Sequence, residues 1–280
     1  SNYDWCSGSG TWNDPYIIEN VTIDGQNSDS CIEIRNSNAY FIIRNCKVYN
    51  SSMGFSDAGI KLVYVNNGKL ININCSINYR GIYLSNSDFN TLSGIEANYN
   101  EEGIRLSYCN NNTISGNTAN SNSWRGIRLD GSNYNTISGN TVNNNYVGIS
   151  LLVSNYNIVS RNNVNDHHYC GTYLSSSNKN TISGNTANSN SWRGIRLDGS
   201  NNNTISGNTA NSNSWRGIYL SSSNKNTISG NTANYNYEYG IYLSSSNNNT
   251  ISGNNANYNG GYGITLYFSD NNYIEGNTIN

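Results

Sequence analysis

Apolar side chains are sparse along most of this chain, but they recur on a fixed beat. Gly followed by Ile marks it at Gly59, Gly81, Gly103, Gly126, Gly148, Gly194, Gly217, Gly240 and Gly263, and Gly171 precedes Thr172 in the same register. Each step is 22 or 23 residues, and the string NTISGNTANSNSWRGI stands unchanged at 112–127, 180–195 and 203–218. One unit predicts three short strands. In Gly126-Ile127-Arg128-Leu129 the apolar residues alternate with polar ones, so Ile127 and Leu129 share a face. Ile137 is the apolar centre of Thr136-Ile137-Ser138, and Val142 closes Asn140-Thr141-Val142 in a place that most units give to Ala. Asn, Ser and Gly separate the strands, as turn residues do. No segment carries a 3.6-residue period, so no helix is predicted.

One unit supplies only about four apolar side chains and cannot bury them alone. Stacked in register, each strand pairs in parallel with its copy one rung away, about 4.8 Å along the axis. Ile then sits on Ile and Leu on Leu in a continuous narrow core. The predicted fold is all-β: a right-handed parallel β-helix, a three-sheet solenoid of about 23 residues per rung and roughly 10–12 rungs. At one corner Asn117, Asn140, Asn185, Asn208 and Asn231 fall in a column, where side-chain amides bond from rung to rung as in stacked Asn ladders. Residues 59–280 form the regular array. Residues 1–58, with the single Pro and both Trp5 and Trp12, are expected to be a cap and irregular first rungs.

Composition narrows the partners. Asn makes up roughly a fifth of the chain, against a norm of a few per cent. The formal net charge is −2 with 11% charged residues, which leaves no basic footprint for nucleic acid and no polybasic membrane anchor. No apolar run is long enough to span a bilayer. The chain ends within a regular unit after EGNTIN. An uncovered last rung is a template for strand pairing, so either a longer parent chain or end-to-end self-association is expected.

The N-NTISGN-A-N…GI-L-S pattern, with GTWNDPYIIENVTIDG at 10–25 and CIEIRNSNAYFIIRNC at 31–46, resembles the NosD-like repeats of the pectin-lyase-like superfamily, found in exported and cell-surface proteins of archaea and bacteria. The resemblance covers nearly the whole chain. It implies the β-helix and an extracellular or cell-surface location, and it raises polysaccharide lyases, hydrolases and uronan epimerases as relatives. One fold hosts many activities, so function rests on the residues.

Six Cys are present without a CxxC motif, and with two His and one Met neither a zinc site nor a copper site is expected. No cofactor is implied. Cys46 and Cys75 are placed at one repeat position on successive rungs, once the insertion at 51–57 is allowed for, which makes them disulfide candidates. Cys6 and Cys31 are a second candidate pair, and free buried thiols are the alternative. Glycosylation signals occur at Asn20, Asn50, Asn74, Asn111, Asn202 and Asn248, many of them expected by chance in so Asn-rich a chain.

Sugar-bond chemistry needs carboxylates grouped within a few ångström. Here they are scattered, and Asp130 and Asp198, at one repeat position, lie three rungs apart, about 14 Å; a turn role is expected for both. Two units break the pattern. Asp166-His167-His168-Tyr169, near Arg161, interrupts the array and makes Arg161, Asp166, His167 and His168 weak catalytic candidates. Glu101-Glu102 replaces the Trp-Arg pair of other units.

Two residues before the marker Gly stand Tyr79, Trp124, Tyr146, Tyr169, Trp192 and Trp215, beside Arg80, Arg125, Arg193 and Arg216. Two residues after it come Tyr83, Arg105, Arg128, Tyr173, Arg196, Tyr219 and Tyr242, pointed outward by alternation. Such a strip suits stacking on sugar faces, with guanidinium forks for carboxylates or sulfates. The competing reading is aromatic stacking that only stabilises neighbouring strands. Outward Thr-x-Ser rows, Thr204 and Ser206 among them, could alternatively face ice. The sequence therefore favours a non-catalytic surface protein with a structural, adhesive or filament role that contacts a polysaccharide or surface glycan, over a polysaccharide-active enzyme.

Overall fold

The computed structural model describes residues 5–54 and 56–280. The chain divides into two compact units, residues 1–141 and 142–280. Each is a stack of parallel strands, and no described residue is helical.

In the first unit one sheet begins with Cys6–Ser7 antiparallel to Tyr16–Glu19 and continues in parallel through Phe41–Arg44, Gly68–Ile71, Thr91–Ser93, Thr113–Ser115 and Thr136–Ser138. The marker Gly lies in a second sheet: Ile32–Ser37, Ile60–Val65, Arg80–Ser85, Glu102–Ser107 and Arg125–Asp130. The second unit repeats the scheme. Its marker sheet runs Val147–Leu152, Cys170–Ser175, Arg193–Asp198, Arg216–Ser221, Tyr239–Ser244 and Ile264–Tyr267. Its Thr-Ile-Ser sheet runs from Ile158–Ser160 to Tyr273–Glu275. Pairing is like on like: Ile195 opposes Ile218, Leu197 opposes Leu220, and Ile205 opposes Ile228. Five marker strands in one unit and six in the other, among the described residues, fall in the range read from the repeat.

The third strand of each rung is shorter than its pattern suggests. Thr22–Asp24 pairs with Lys47–Tyr49, but later rungs make single bridges, such as Glu96 to Thr118 and Thr186 to Thr209. The cause lies in the Asn side chains. On either side of the bridge a side-chain oxygen takes the N–H that a ladder would use: Asn117 N donates to Asn140 Oδ1 at 2.9 Å and Asn120 N to Asn98 Oδ1 at 2.7 Å.

Ile195, Leu197, Ile205 and Ala210 are fully buried in one rung, and their repeats form the core. The marker Gly is required by the close approach of rungs. A Cβ on Gly194 would lie 2.7 Å from Ala187 O and 2.8 Å from Gly217 O. The expected Asn ladder is present: Asn208 Oδ1 accepts Asn185 N at 2.9 Å and Asn185 Nδ2 at 3.0 Å, while Asn208 Nδ2 donates to Ile182 O at 2.8 Å. Two further buried Asn columns lie beside the one read from the sequence. One holds Asn180, Asn203 and Asn226, the other Asn190, Asn213 and Asn236. A buried Ser column, Ser177–Ser200–Ser223, caps strand ends through Oγ. These side chains satisfy N–H groups that the corners would otherwise leave buried and unpaired.

The cysteines correct the expected pairing. All six thiols are free. The parallel bridge from Lys47 to Asn74 sets Val48, not Cys46, beside Cys75. The two thiols point to different carbonyls: Cys75 Sγ donates to Glu96 O and Cys46 Sγ to Arg44 O. Cys31 Sγ donates to Tyr49 O, and Cys6 is likewise unbridged.

Candidate functional site

The marker sheet carries the strip read from the sequence, and its chemistry differs between the units. In the second unit Tyr146, Tyr169, Trp192 and Trp215 form an unbroken column of rings, with successive centroids 5.6, 5.0 and 5.2 Å apart. Tyr146 is 40% and Trp192 43% exposed, while Tyr169 and Trp215 are half-buried. The arginines correct the expectation of an open strip, for Arg193 is only 4% exposed. Its guanidinium lies 4.2 Å from the Trp215 ring centre, 4.3 Å from Tyr219 and 5.2 Å from Trp192. Arg216 is held between Trp215 and Tyr242, both at 4.1 Å, and pairs with Glu238 at 3.2 Å. Burial lowers the proton affinity of Arg193 and Arg216 from the usual range. The aromatic faces compensate by meeting the cations with their negative quadrupole.

In the first unit a carboxylate joins the rings around the arginines. Glu102 occupies the column position of Arg80 and Arg125 and lies in register between them. Its oxygens meet Arg80 at 3.0 Å, Arg128 at 2.9 Å, Arg105 at 3.2 Å and Arg125 at 3.6 Å. Burial would raise its pKa, but Arg105 and Arg128 outweigh that and hold it below the usual carboxylate range. Arg125 is pushed down to about 10, by burial first and by the Arg128 charge second. Tyr79 and Trp124 lie over Arg80 and Arg125, each at 5.0 Å. These groups border a cavity of about 370 Å³. A second cavity, of about 560 Å³, shares Tyr79 and Glu101 with it and is closed on another side by Ser51 and Met53 of the 51–57 insertion. Burial and the neighbouring Glu101 raise the Tyr79 phenol.

Asp130 and Asp198 are not turn residues. They close their strands and pair with arginines: Asp130 with Arg105 and Arg128, Asp198 with Arg196.

The 161–169 group does not converge. His167 is buried, while Arg161, Asp166 and His168 are exposed. His167 fills an Asn place in a ladder, where Asn145 N donates to its Nδ1 at 3.1 Å and its own N donates to Asn190 Oδ1 at 3.0 Å. Burial lowers its pKa to about 4, so the ring is neutral at pH 7. Among the glycosylation signals, Asn20, Asn111, Asn202 and Asn248 are exposed at left-handed corners. Asn50 and Asn74 are half-buried and bonded to Asp24 and Glu96.

Parallel rungs, a Gly-marked sheet and buried Asn ladders define a right-handed parallel β-helix protein, here with an aromatic and arginine strip on one sheet. The chain belongs to the NosD family: the family described as periplasmic copper-binding protein (NosD) matches residues 16–192, and a right-handed β-helix region matches 148–280. Comparison with curated proteins finds no match. Among solved structures, the periplasmic alginate epimerase AlgG is similar with TM-score 0.67 and 16% identity over 99% of this chain and 81% of that one. The A-module of the mannuronan C-5 epimerase AlgE6 of Azotobacter vinelandii gives 0.68 and 15% over 94% and 80%. The Dettilon tailspike protein gives 0.61 and 16% over 93% and 55%. At these identities the likeness is one of fold.

The residues present do not fit the copper of the family description. Copper sites are built from grouped His, Cys and Met. Among the described residues no three His, Cys, Asp or Glu side chains come together. Cys109 and Cys170 are pushed up to about 12 by burial, which keeps the thiols protonated. His167 is tied into a ladder. Among the described residues no helix is long and apolar enough to cross a membrane.

Proposed function

We propose that this chain is a non-catalytic, exported β-helix protein that contacts polysaccharide through the aromatic and arginine strip of its marker sheet. The observation that carries this reading is the column Tyr146, Tyr169, Trp192 and Trp215, whose rings are in continuous contact, with Tyr146 and Trp192 exposed and the other two half-buried. Exposed aromatic patches of this kind mark binding surfaces. Indole and phenol rings also offer sugars an apolar body with a polar tip. Support for an exported setting comes from the periplasmic description of the family and of AlgG, and support for a polysaccharide ligand from the alginate and mannuronan enzymes that share the fold.

A glycan array probed with the wild-type chain and with a Trp192→Ala/Trp215→Ala variant tests the reading. The wild type should retain a subset of glycans that the variant loses. Retention of the same glycans by both would remove the strip. An enzymatic alternative draws on Tyr79 and Glu101, which stand between two cavities beside an irregular loop. Conversion of a retained glycan to a shorter or unsaturated product would favour it.

A further inference from the structure

The arginine cavity of residues 79–128 is a feature that stacking on sugar faces does not use. Four guanidinium groups, those of Arg80, Arg105, Arg125 and Arg128, converge there, with Tyr79 and Trp124 on the walls. Glu102 is the carboxylate they share, and Asp130 forms its ion pairs with Arg105 and Arg128. Arg125 is left weakest in partners. Its nearest carboxylate contact is 3.6 Å, too long for a hydrogen bond. Its Nε, like those of Arg105 and Arg128, is buried and makes no hydrogen bond, so the 3.6 Å contact is what sets Arg125 apart.

We propose that this cavity seats the acidic group, a carboxylate or a sulfate ester, of a sugar unit in the polysaccharide, with the Arg125 fork as its main contact. The inference rests on the polysaccharide reading above and adds the charge class of the ligand. Three observations support it. A planar guanidinium presents paired N–H donors that match a carboxylate or sulfate oxygen pair. Four guanidinium groups meet three carboxylates there, Glu101, Glu102 and Asp130, so one positive charge is left without a counter-charge, and an incoming anion supplies it. The third is the contrast with Arg193 in the second unit, whose guanidinium is framed by Trp192, Trp215 and Tyr219. There the rings take the role that an anion would fill beside Arg125. The cavity's volume of about 370 Å³ lies in the usual range for small-ligand sites.

Calorimetric titration of the full chain with three hexasaccharides tests the proposal: a uronate, a sulfated hexamer without uronate, and a neutral one. Wild type should bind at least one acidic hexamer more tightly than the neutral one, and the better acidic ligand distinguishes carboxylate from sulfate. Arg125→Met should weaken that ligand about tenfold, the loss of one charge-assisted fork, and flatten its salt dependence, with a clearly smaller loss for the neutral hexamer. Arg125→Lys, which keeps the charge but not the fork, should fall between. Circular dichroism confirms that each variant is folded. Equal binding of neutral and acidic hexamers by wild type, or an unchanged acidic affinity in Arg125→Met, would overturn the anion seat. If Trp192→Ala/Trp215→Ala still abolishes binding in that case, the strip stands without it. If no hexamer binds wild type, both readings fall.

Discussion

His167 shows how a single position is set by the column it joins. The repeat offers a buried Asn place, and an imidazole occupies it only in its neutral form. The folded pKa, about 4, is below the ordinary 6.5. Between these values the unfolded chain binds the extra proton, so stability is full above about pH 6.5 and is lost as pH falls toward 4. The loss is on the order of 3 kcal/mol across that window. His167→Asn should remove this acid sensitivity, and His168→Asn, at an exposed site, should leave it intact. Urea unfolding at pH 7 and pH 4.5 checks both. Val153 is the opposite case. It is exposed and sits at φ 50°, where a β-branched residue is strained, while the same corner two rungs on is Gly199 at φ 54°. Val153→Gly should raise stability by about 1 kcal/mol, after the entropy of the added glycine is discounted. A lower urea midpoint would contradict the strain.

At the scale of strands and columns, the ladders carry specificity as well as stability. Asn208→Ala removes the acceptor of Asn185 N and Nδ2 and the donor to Ile182 O. Buried groups left unpaired cost about 1–3 kcal/mol each, so unfolding of this variant should begin at clearly lower urea than wild type, and amide exchange should quicken first around residues 182–208. The strand pattern and one ladder could be read from the repeat because identical residues at a fixed step must stack on themselves. The other Asn columns were harder to see, since Asn also fills exposed corners such as Asn202, and composition alone does not separate the two. The Cys46–Cys75 pairing failed for a related reason. The insertion at 51–57 makes the step ambiguous, and an error of two residues keeps a side chain on the same face while moving it to the wrong neighbour. The strip was visible, but the role of Glu102 was not. A charge reversal in an Arg column looks like drift until register places it between Arg80 and Arg125 and beside Arg105 and Arg128.

At the scale of the whole molecule, repetition makes each rung exchangeable with its neighbours. In the second unit, removal of residues 181–203 joins Asn180 to Thr204 and recreates the local sequence of the repeat. The shortened chain should keep its β-sheet circular dichroism and cooperative melting. Removal of 17 residues, 181–197, leaves about six residues too many for a whole rung and should abolish both. The same repetition spreads the aromatic strip over several rungs. The most direct measurement of the central claim is tryptophan fluorescence during titration with an array-selected oligosaccharide, in a chain carrying Trp5→Phe and Trp12→Phe so that only Trp124, Trp192 and Trp215 report. Contact with the strip predicts a saturable change in intensity and wavelength that neighbouring non-ligand sugars do not produce. Binding seen by calorimetry with no change in the emission of these three tryptophans would place the ligand elsewhere and contradict the account.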